Sequence, residues 1–458
     1  MNYKDTIEYI DSFINFEKIP RYQYASSFRL ERMIAFLDEL GNPHKGLNVI
    51  HVAGSKGKGS TCAVAAYILK EAGYKVGLYT SPHLMDSRER IRILNNSIKT
   101  NGEECRIDDF EGMIREEEIN KLIEEIKPIA EKFREHEEFG MVSFFEILTA
   151  CAFLYFKQQQ VDIAILETGM GGRLDATNVT VPLACGMTSI SLEHTDKLGD
   201  TLTKIAYEKA EIVKDKGIIV SASQEKEAIE ILRKTCREKN ARLHEVGKDI
   251  KYSILRSGEF GQVFDLQTPR QSYKNLELNL IGVHQIENAS ISIGIIEAIK
   301  EKFDIKEDDM RDGLKKATWP GRLQIIRTNP NIILDGAQNL ASMSALISSI
   351  KGAFKYKKLI CVFGISSDKD IKGVSGILDA AGDIIILTEA KCNPRAEKVS
   401  KLKGYFQSSR PGIQEIKDAD EALNKAIKIA DKEDLILVTG SLFLVGDALN
   451  YFKNRHSN

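Results

Sequence analysis

The sequence predicts an α/β protein of two parallel-sheet units. The first should carry a phosphate-binding loop and a small antiparallel β extension, and the second should be Rossmann-like. Three observations predict this. From residue 47 short apolar runs alternate with helical patterns, residues 251–280 interrupt that alternation, and it resumes after the turn "WPGR" at 319–322. A boundary near residue 320 divides the chain into 1–320 and 321–458. No repeat, low-complexity tract or flexible linker separates the two, so they should pack closely around a cleft.

The N-terminal stretch "MNYKDTIEYIDSFINF" alternates acids with apolar residues like a surface helix. "LNVIHVA" reads as a buried strand and "STCAVAAYILKEAG" as a helix closed by Gly73. "KVGLYT", "VDIAILE", "LACGMTSI" and "KGIIVSA" supply four further strands. "YSILRS", "GQVFDLQT" and "LELNLIG" form an appended antiparallel meander, after which "HQIENASISIGIIEAIKEKF" returns to helix. In the second unit the strands are "NIILD", "KLICVFG", "DIIILTEA" and "DLILVTG". Open α/β sheets bind ligands beyond the carboxyl ends of their strands. Gly54–Ser60, Ser81, Glu167, Asp335 and Ser366–Asp370 all stand at such ends.

Composition narrows the function classes. With 43% hydrophobic and 28% charged residues and a net charge of −2, the chain has no basic tract for nucleic acid or an anionic membrane. The seven cysteines are dispersed and never paired as C-x-x-C, as expected of reduced thiols rather than a disulfide or zinc framework. There is no basic, apolar export leader and no run near the roughly 20 residues that span a membrane. A cytoplasmic protein, and a monomer, is expected.

Three stretches carry chemistry. "HVAGSKGKGS" follows a strand and opens a helix, the setting in which glycines let backbone N–H groups close on phosphate oxygens. Lys58 adds a mobile cation; the bland alternative is a glycine-rich turn. In "LETGMGGRLDATNVT", Glu167 ends a buried strand beside that loop, where a carboxylate suits Mg²⁺ bound with a nucleotide. Here the alternative is a structural Arg173–Asp175 pair. "SISLEHTDKLGDTLTKIAYEKAEIVK" sets Glu193, His194, Thr195 and Asp196 at a strand end, then a helix with Glu208 and Lys209. A lone strand-end histidine is often structural, but this one sits among acids at the mouth of the same sheet, and a metal role is favoured.

Together with "SPHL", "ERIRI", "SFFEILTACAF", "HQIENA", "WPGRLQII", "LDGAQN" and "VTGSLFLVG", these motifs run in order from about residue 28 to 450. The ordered set resembles folylpolyglutamate synthase/dihydrofolate synthase, the folate branch of the Mur ligase superfamily. The resemblance implies a Mur-ligase-like central domain and a C-terminal glutamate-ligase domain. It implies that Gly57, Lys58, Gly59 and Ser60 hold ATP phosphates, that Ser81 and Glu167 bind one Mg²⁺, and that His194 binds a second. Lys209 matches a lysine carried as a carbamate and serving as a metal ligand. Asn288, Arg322 and Asp335 match ATP contacts. A folate or pteroate is implied along Tyr22, Gln23, Tyr24 and Ala25, along Ser143, Phe144, Phe145 and Glu146, and along Leu174, Asp175 and Ala176. Lys58, Lys209, His194 and Glu167 form the implied catalytic set.

The implied reaction activates a folate carboxylate as an acyl phosphate, which the amine of L-glutamate then displaces. This is a tetrahydrofolate:L-glutamate ligase, with dihydropteroate as a further acceptor. Six positions depart from the family pattern: Ser55 for threonine, Lys56 for asparagine, Gln338 for histidine, Leu340 for proline, Arg29 for glycine and Glu211 for glycine. Lys56 is expected at the cleft mouth, near the acidic substrate, and Arg29 is placed to narrow the pterin site. Two alternatives stay open. One is a related ligase for another acid or amino acid, and the other is a silent nucleotide-binding paralogue.

Overall fold

The computed structural model describes residues 1–19, 22–96, 110–391, 393–406 and 412–456; at Ala25, Ser26 and His456 it describes the backbone only. Seven strands form the first sheet: β1 Val49–Ala53, β2 Val76–Tyr79, β3 Ile91–Leu94, β4 Ile163–Glu167, β5 Ala184–Met187, β6 Ile218–Ser221 and β7 Arg242–Glu245. Their order is β3-β2-β4-β1-β5-β6-β7. All neighbours run parallel except β3, which is antiparallel to β2. Side chains alternate across the sheet with the period of two that a strand imposes. Ile50, Val52, Ile163 and Ile165 enter one core, and Val49, Ala164 and Leu166 the other.

One helix is enclosed rather than amphipathic. In Lys58–Glu71 every residue from Ser60 to Leu69 is buried. It packs against the helices Val283–Ile299 and Glu307–Lys316 as well as the sheet. At Gly313 of the latter, a Cβ would stand 2.4 Å from the Ile68 Cα, so only glycine permits that approach. The helices Leu30–Glu39, Glu116–Arg134 and Phe144–Gln158 contribute to the core on the opposite face.

The meander is β8 Lys251–Gly258, β9 Gly261–Gln267 and β10 Ser272–Leu278. Its third strand starts and ends earlier than "LELNLIG". A bulge between Tyr273 and Leu276, with Asn275 at φ 52°, breaks the alternation that would have revealed it. The second sheet comprises β11 Gln324–Arg327, β12 Asn331–Asp335, β13 Leu359–Phe363, β14 Ile384–Glu389, β15 Ile413–Asp418 and β16 Leu435–Thr439, ordered β11-β12-β16-β13-β14-β15. It too is parallel apart from one antiparallel edge, β11 against β12.

The strands not anticipated from sequence are β3, β7, β11 and β15, all at sheet edges. They carry charged residues and lack the continuous apolar run of an interior parallel strand.

Among the described residues no helix is long and apolar enough to cross a membrane. Cys62, Cys151, Cys185 and Cys236 are buried free thiols and Cys361 is buried; Cys105 and Cys392 lie outside the described residues.

Candidate active site

The glycine-rich loop Gly54–Ser60 is built by close contacts. A Cβ on Gly54 would fall 1.9 Å from Thr188 Oγ1, and one on Gly57, at φ 89°, would fall 2.3 Å from Asn288 Oδ1. Both positions exclude other residues. The Ser55 and Lys56 amides donate to the Ser189 carbonyl at 2.9 and 3.4 Å. No side chain caps the helix that starts at Lys58, so its first-turn N–H groups are left for an anion.

Next to the loop, Lys58 Nζ stands 3.9 Å from Glu167 Oε1, and the Ser81 amide donates to Glu167 Oε2 at 3.1 Å. Burial pushes the Glu167 carboxyl up, and Lys58 works against that shift. A desolvated carboxylate with one cation at the limit of pairing range suits a further cation.

Behind the loop lies a cluster centred on Glu193, which pairs with Lys56 at 3.0 Å and with Lys209 at 3.2 Å. Lys209 Nζ also donates to the Gly54 carbonyl at 2.7 Å. Burial raises the Glu193 carboxyl, but Lys209 and Lys56 override it and hold the group well below the carboxylate range. Burial lowers the Lys209 ammonium to about 8, with Glu193 opposing. His194, in a left-handed conformation at φ 49°, opens onto the cleft. Although the residue is exposed on the cleft, partial desolvation and the nearby Lys209, Lys369 and Lys56 draw its imidazole downward against Glu193, which favours the neutral ring that can ligate.

Across the cleft, Asp335 ends β12 and accepts from the Leu323 and Ala337 amides at 2.9 and 2.8 Å. Burial raises its carboxyl, while Arg322 pulls the other way. The two walls enclose about 380 Å³. Every residue expected to touch ATP or metal lines that space (Gly57, Lys58, Gly59, Ser60, Ser81, Glu167, His194, Asn288, Arg322 and Asp335) apart from Lys209, which sits behind Glu193. Among the described residues no three His, Cys, Asp or Glu side chains form a ready-made metal cage.

The expected folate segments divide. Tyr22 is half-buried, packed on Phe16 and Phe28, with Lys197 Nζ 4.5 Å from its ring centre. Tyr24 is buried against Gly171, and Gln23 begins the short helix Tyr24–Ser27. The side chain of Ala25 lies outside what is described. Phe145 packs over Gly169, which lines the cleft.

The remaining residues do structural work. Ser143 and Glu146 form a capping box, and Glu146 also takes Arg32 Nε at 2.9 Å in a buried pair. Phe144 and Ala176 are core, and Leu174 packs on a neighbouring apolar cluster. Asp175 gathers the Gly169, Met170 and Thr177 amides at 2.8, 3.0 and 3.0 Å, shaping the turn after Glu167. Arg173 pairs with Glu208 at 2.9 Å rather than with Asp175. Ser366 accepts from Asn393, and Asp370 caps the helix Ile371–Ala381, so this strand end is also structural.

Residues 143–296 match the Mur ligase middle domain, and residues 321–442 the Mur ligase glutamate ligase domain. The dihydrofolate synthase/folylpolyglutamate synthase of Bacillus subtilis (strain 168) is 34% identical over 91% of this chain and 93% of its own. The chain belongs to the folylpolyglutamate synthase/dihydrofolate synthase family of Mur ligases. The folylpolyglutamate synthase of Lacticaseibacillus casei is 30% identical over 97% of each chain. Among solved structures, folylpolyglutamate synthase from Thermotoga maritima superposes with a TM-score of 0.83 at 32% identity, covering 100% of this chain and 98% of that one. Escherichia coli FolC in complex with DHPP and ADP superposes at 0.84 and 28% identity, covering 100% and 99%.

The departures from the family pattern find local explanations. Lys56 does lie at the cleft, but the acid beside it is the protein's own Glu193. Arg29 is exposed and donates to the Glu138 carbonyl at 2.6 Å, so its guanidinium is engaged away from the cleft cavity. Glu211 pairs with Lys239 at 2.9 Å after its helix ends. Leu340 begins the helix Leu340–Ala353, whose capping box is Asn339 with Ser342. Gln338 lines the cleft.

Glu193's double pairing, Trp319 against Gly59 and the buried Glu89 were missed from sequence. Only Glu89 had a usable signal, since Asp86-Ser87-Arg88-Glu89 has capping-box spacing.

Proposed function

We propose that this Mur ligase is an ATP-dependent ligase that joins L-glutamate to the carboxylate of a folate, and of dihydropteroate, through an acyl phosphate. One observation carries the reading: an uncapped helix start with Lys58 and Glu167 faces Arg322 and Asp335 of the other sheet across one cavity. The relative that holds ADP and DHPP supports both substrate classes. We assign residues 1–320 to ATP and folate binding and 321–458 to glutamate.

Gly57–Ser60 cradle the phosphates with backbone donors, and Lys58 neutralises charge that grows on the transferred group. Asn288, Arg322 and Asp335 orient the nucleotide from both walls. Ser81 and Glu167 would hold one Mg²⁺, and His194 with a carbamylated Lys209 a second; when bound, these ions add further neutralisation of phosphate charge. Tyr22, Tyr24 and Phe145 offer apolar surface beside Gly169–Gly171 for a flat pteridine. The enclosed cleft keeps water from the acyl phosphate until the glutamate amine arrives, and in-line placement of carboxylate and γ-phosphate lowers the barrier.

The test is ADP release measured with dihydropteroate and tetrahydrofolate, each with and without L-glutamate. Release that needs an acceptor and glutamate together is expected. Release with another amino acid alone, or tight ATP binding without turnover, overturns the assignment.

A further inference from the structure

The loop Ser81–Asp86 touches each part of the machinery. At its start the Ser81 amide is fixed on Glu167 at 3.1 Å. In its middle, His83 Nδ1 accepts from Arg90 Nε at 2.9 Å, and Arg90 is clamped by Glu17 at 2.6 Å, near the Tyr22 segment. Leu84 and Met85 leave their own unit and pack on the apolar cluster of Val445, Ala448 and Leu449 in the second.

That docking is very close. A Cβ on Gly446, buried within the helix Leu442–His456, would stand 2.3 Å from the Leu84 carbonyl oxygen and 3.1 Å from its carbon. A Cβ on Gly321 would meet Leu84 Cδ1 at 3.2 Å. From inside, the buried Glu89 carboxylate accepts the Leu84, Met85 and Asp86 amides at 2.6, 2.8 and 2.8 Å. The loop is therefore gripped by the second unit on one side and by Glu89 on the other.

We infer that this loop couples the seating of the second unit to the phosphate site, with Gly446, Leu84 and Glu89 as its positioning residues. The inference rests on the ligase reading. Ser81 lies three residues from Leu84, a span of about 10 Å when extended, with both ends held. A displacement at Gly446 must then be taken up at Ser81 and Glu167, where charge develops. Acyl phosphate would form only when the second unit is in place to deliver glutamate and exclude water.

The test compares Gly446→Ala with Gly376→Ala. Gly376 is exposed in the helix Ile371–Ala381, and a Cβ added there would meet nothing within 4 Å. Both changes gain the helix propensity of alanine over glycine, so neither should lower thermal stability through the helix itself. Gly446→Ala should lower kcat about 10- to 100-fold at unchanged KM for ATP, the scale of an ångström misplacement. Gly376→Ala should match wild type. Hydrogen exchange supplies a readout free of turnover: the amides of Leu84–Asp86 should exchange faster in Gly446→Ala, while β1 and β4 are unaltered. Should Gly446→Ala fail to fold, Leu84→Ala, which removes the wedge without a clash, decides by the same kcat and exchange readouts. Wild-type kcat with wild-type exchange, or a change confined to KM for ATP, overturns the coupling. Absence of glutamate-dependent turnover in wild type would overturn the ligase reading instead, with the exchange experiment still judging the contact.

Discussion

Lys209 should take up CO₂, and withholding CO₂ should slow the enzyme. Only the neutral amine reacts. With the Lys209 pKa brought down to about 8 by burial, pH 7 lies one unit below it, leaving about one amine in ten uncharged. An ordinary lysine near 10.4 has roughly one in 2,500. The product would set a second anion beside Glu193, now 3.2 Å from Nζ, and carboxylates so close repel. Lys56 already holds the other Glu193 oxygen at 3.0 Å, so Glu193 keeps a cation when Lys209 stops being one. The perturbation is exchange into CO₂-free buffer followed by ¹³C-bicarbonate. A carbamate ¹³C resonance should appear in wild type, weaken in Lys56→Asn and be missing in Lys209→Gln. Turnover should fall about tenfold or more without CO₂, as for one lost charge-assisted contact of ~1.5–3 kcal/mol, and recover on adding bicarbonate. The same resonance in Lys209→Gln, or a rate indifferent to CO₂, refutes the reasoning.

Lys58→Ala should cut ADP release tenfold to a hundredfold with the fold intact, the loss of one charge-assisted contact of ~1.5–3 kcal/mol; near-normal release removes the loop from the chemistry. Glu167→Gln and His194→Ala should raise the Mg²⁺ concentration needed for half-maximal rate, whereas a displaced pH profile at unchanged Mg²⁺ dependence would point to proton transfer. His51 is fully buried and neutral, lowered to about 3 by desolvation. Its stabilising neutral form is present above 6.5, and that stability is lost as pH falls toward 3, by at most about 5 kcal/mol over that interval. His51→Asn should flatten the acid limb of a denaturation series, and an unchanged limb assigns acid lability elsewhere. Trp319 is the single tryptophan and lines the cleft, with Cζ2 2.6 Å from where a Gly59 Cβ would be. ATP should therefore shift its fluorescence, and Gly59→Ala should alter the emission before nucleotide is added; a spectrum blind to ATP would separate this ring from the phosphate loop.

What the sequence disclosed follows from which interactions are local. Interior strands such as "LICVF" are apolar throughout, and "VIHVA" and "LILVT" nearly so, because both faces are covered, and this pattern is visible in one dimension. Edge strands such as "IRIL" and "IQEIKD" are mixed in character and pass for loops. The turn Gly57-Lys58-Gly59-Ser60 stood out in the sequence because a glycine-rich strand-to-helix turn is a contiguous segment with its own backbone demands. Lys56 was not, because its partner Glu193 lies 137 residues away and only folding brings them to 3.0 Å. Ser143 and Glu146 illustrate the converse: in a segment expected to meet the folate, the structure shows an N-cap with a buried arginine partner that the sequence pattern did not disclose.

The helix that opens at Lys58 is enclosed on every side, and on the ligase reading this would tie the protein's survival to its nucleotide. A ligand held at that helix start favours the folded chain alone and so draws the folding equilibrium with it, by about 2.7 kcal/mol at a hundredfold excess over Kd. A cell rich in ATP would hold a larger folded pool than a starved one without altering synthesis. Substitutions that loosen the Ile68–Gly313 crossing, far from any phosphate, should then be tolerated in energy-replete cells and cleared by proteolysis when ATP declines.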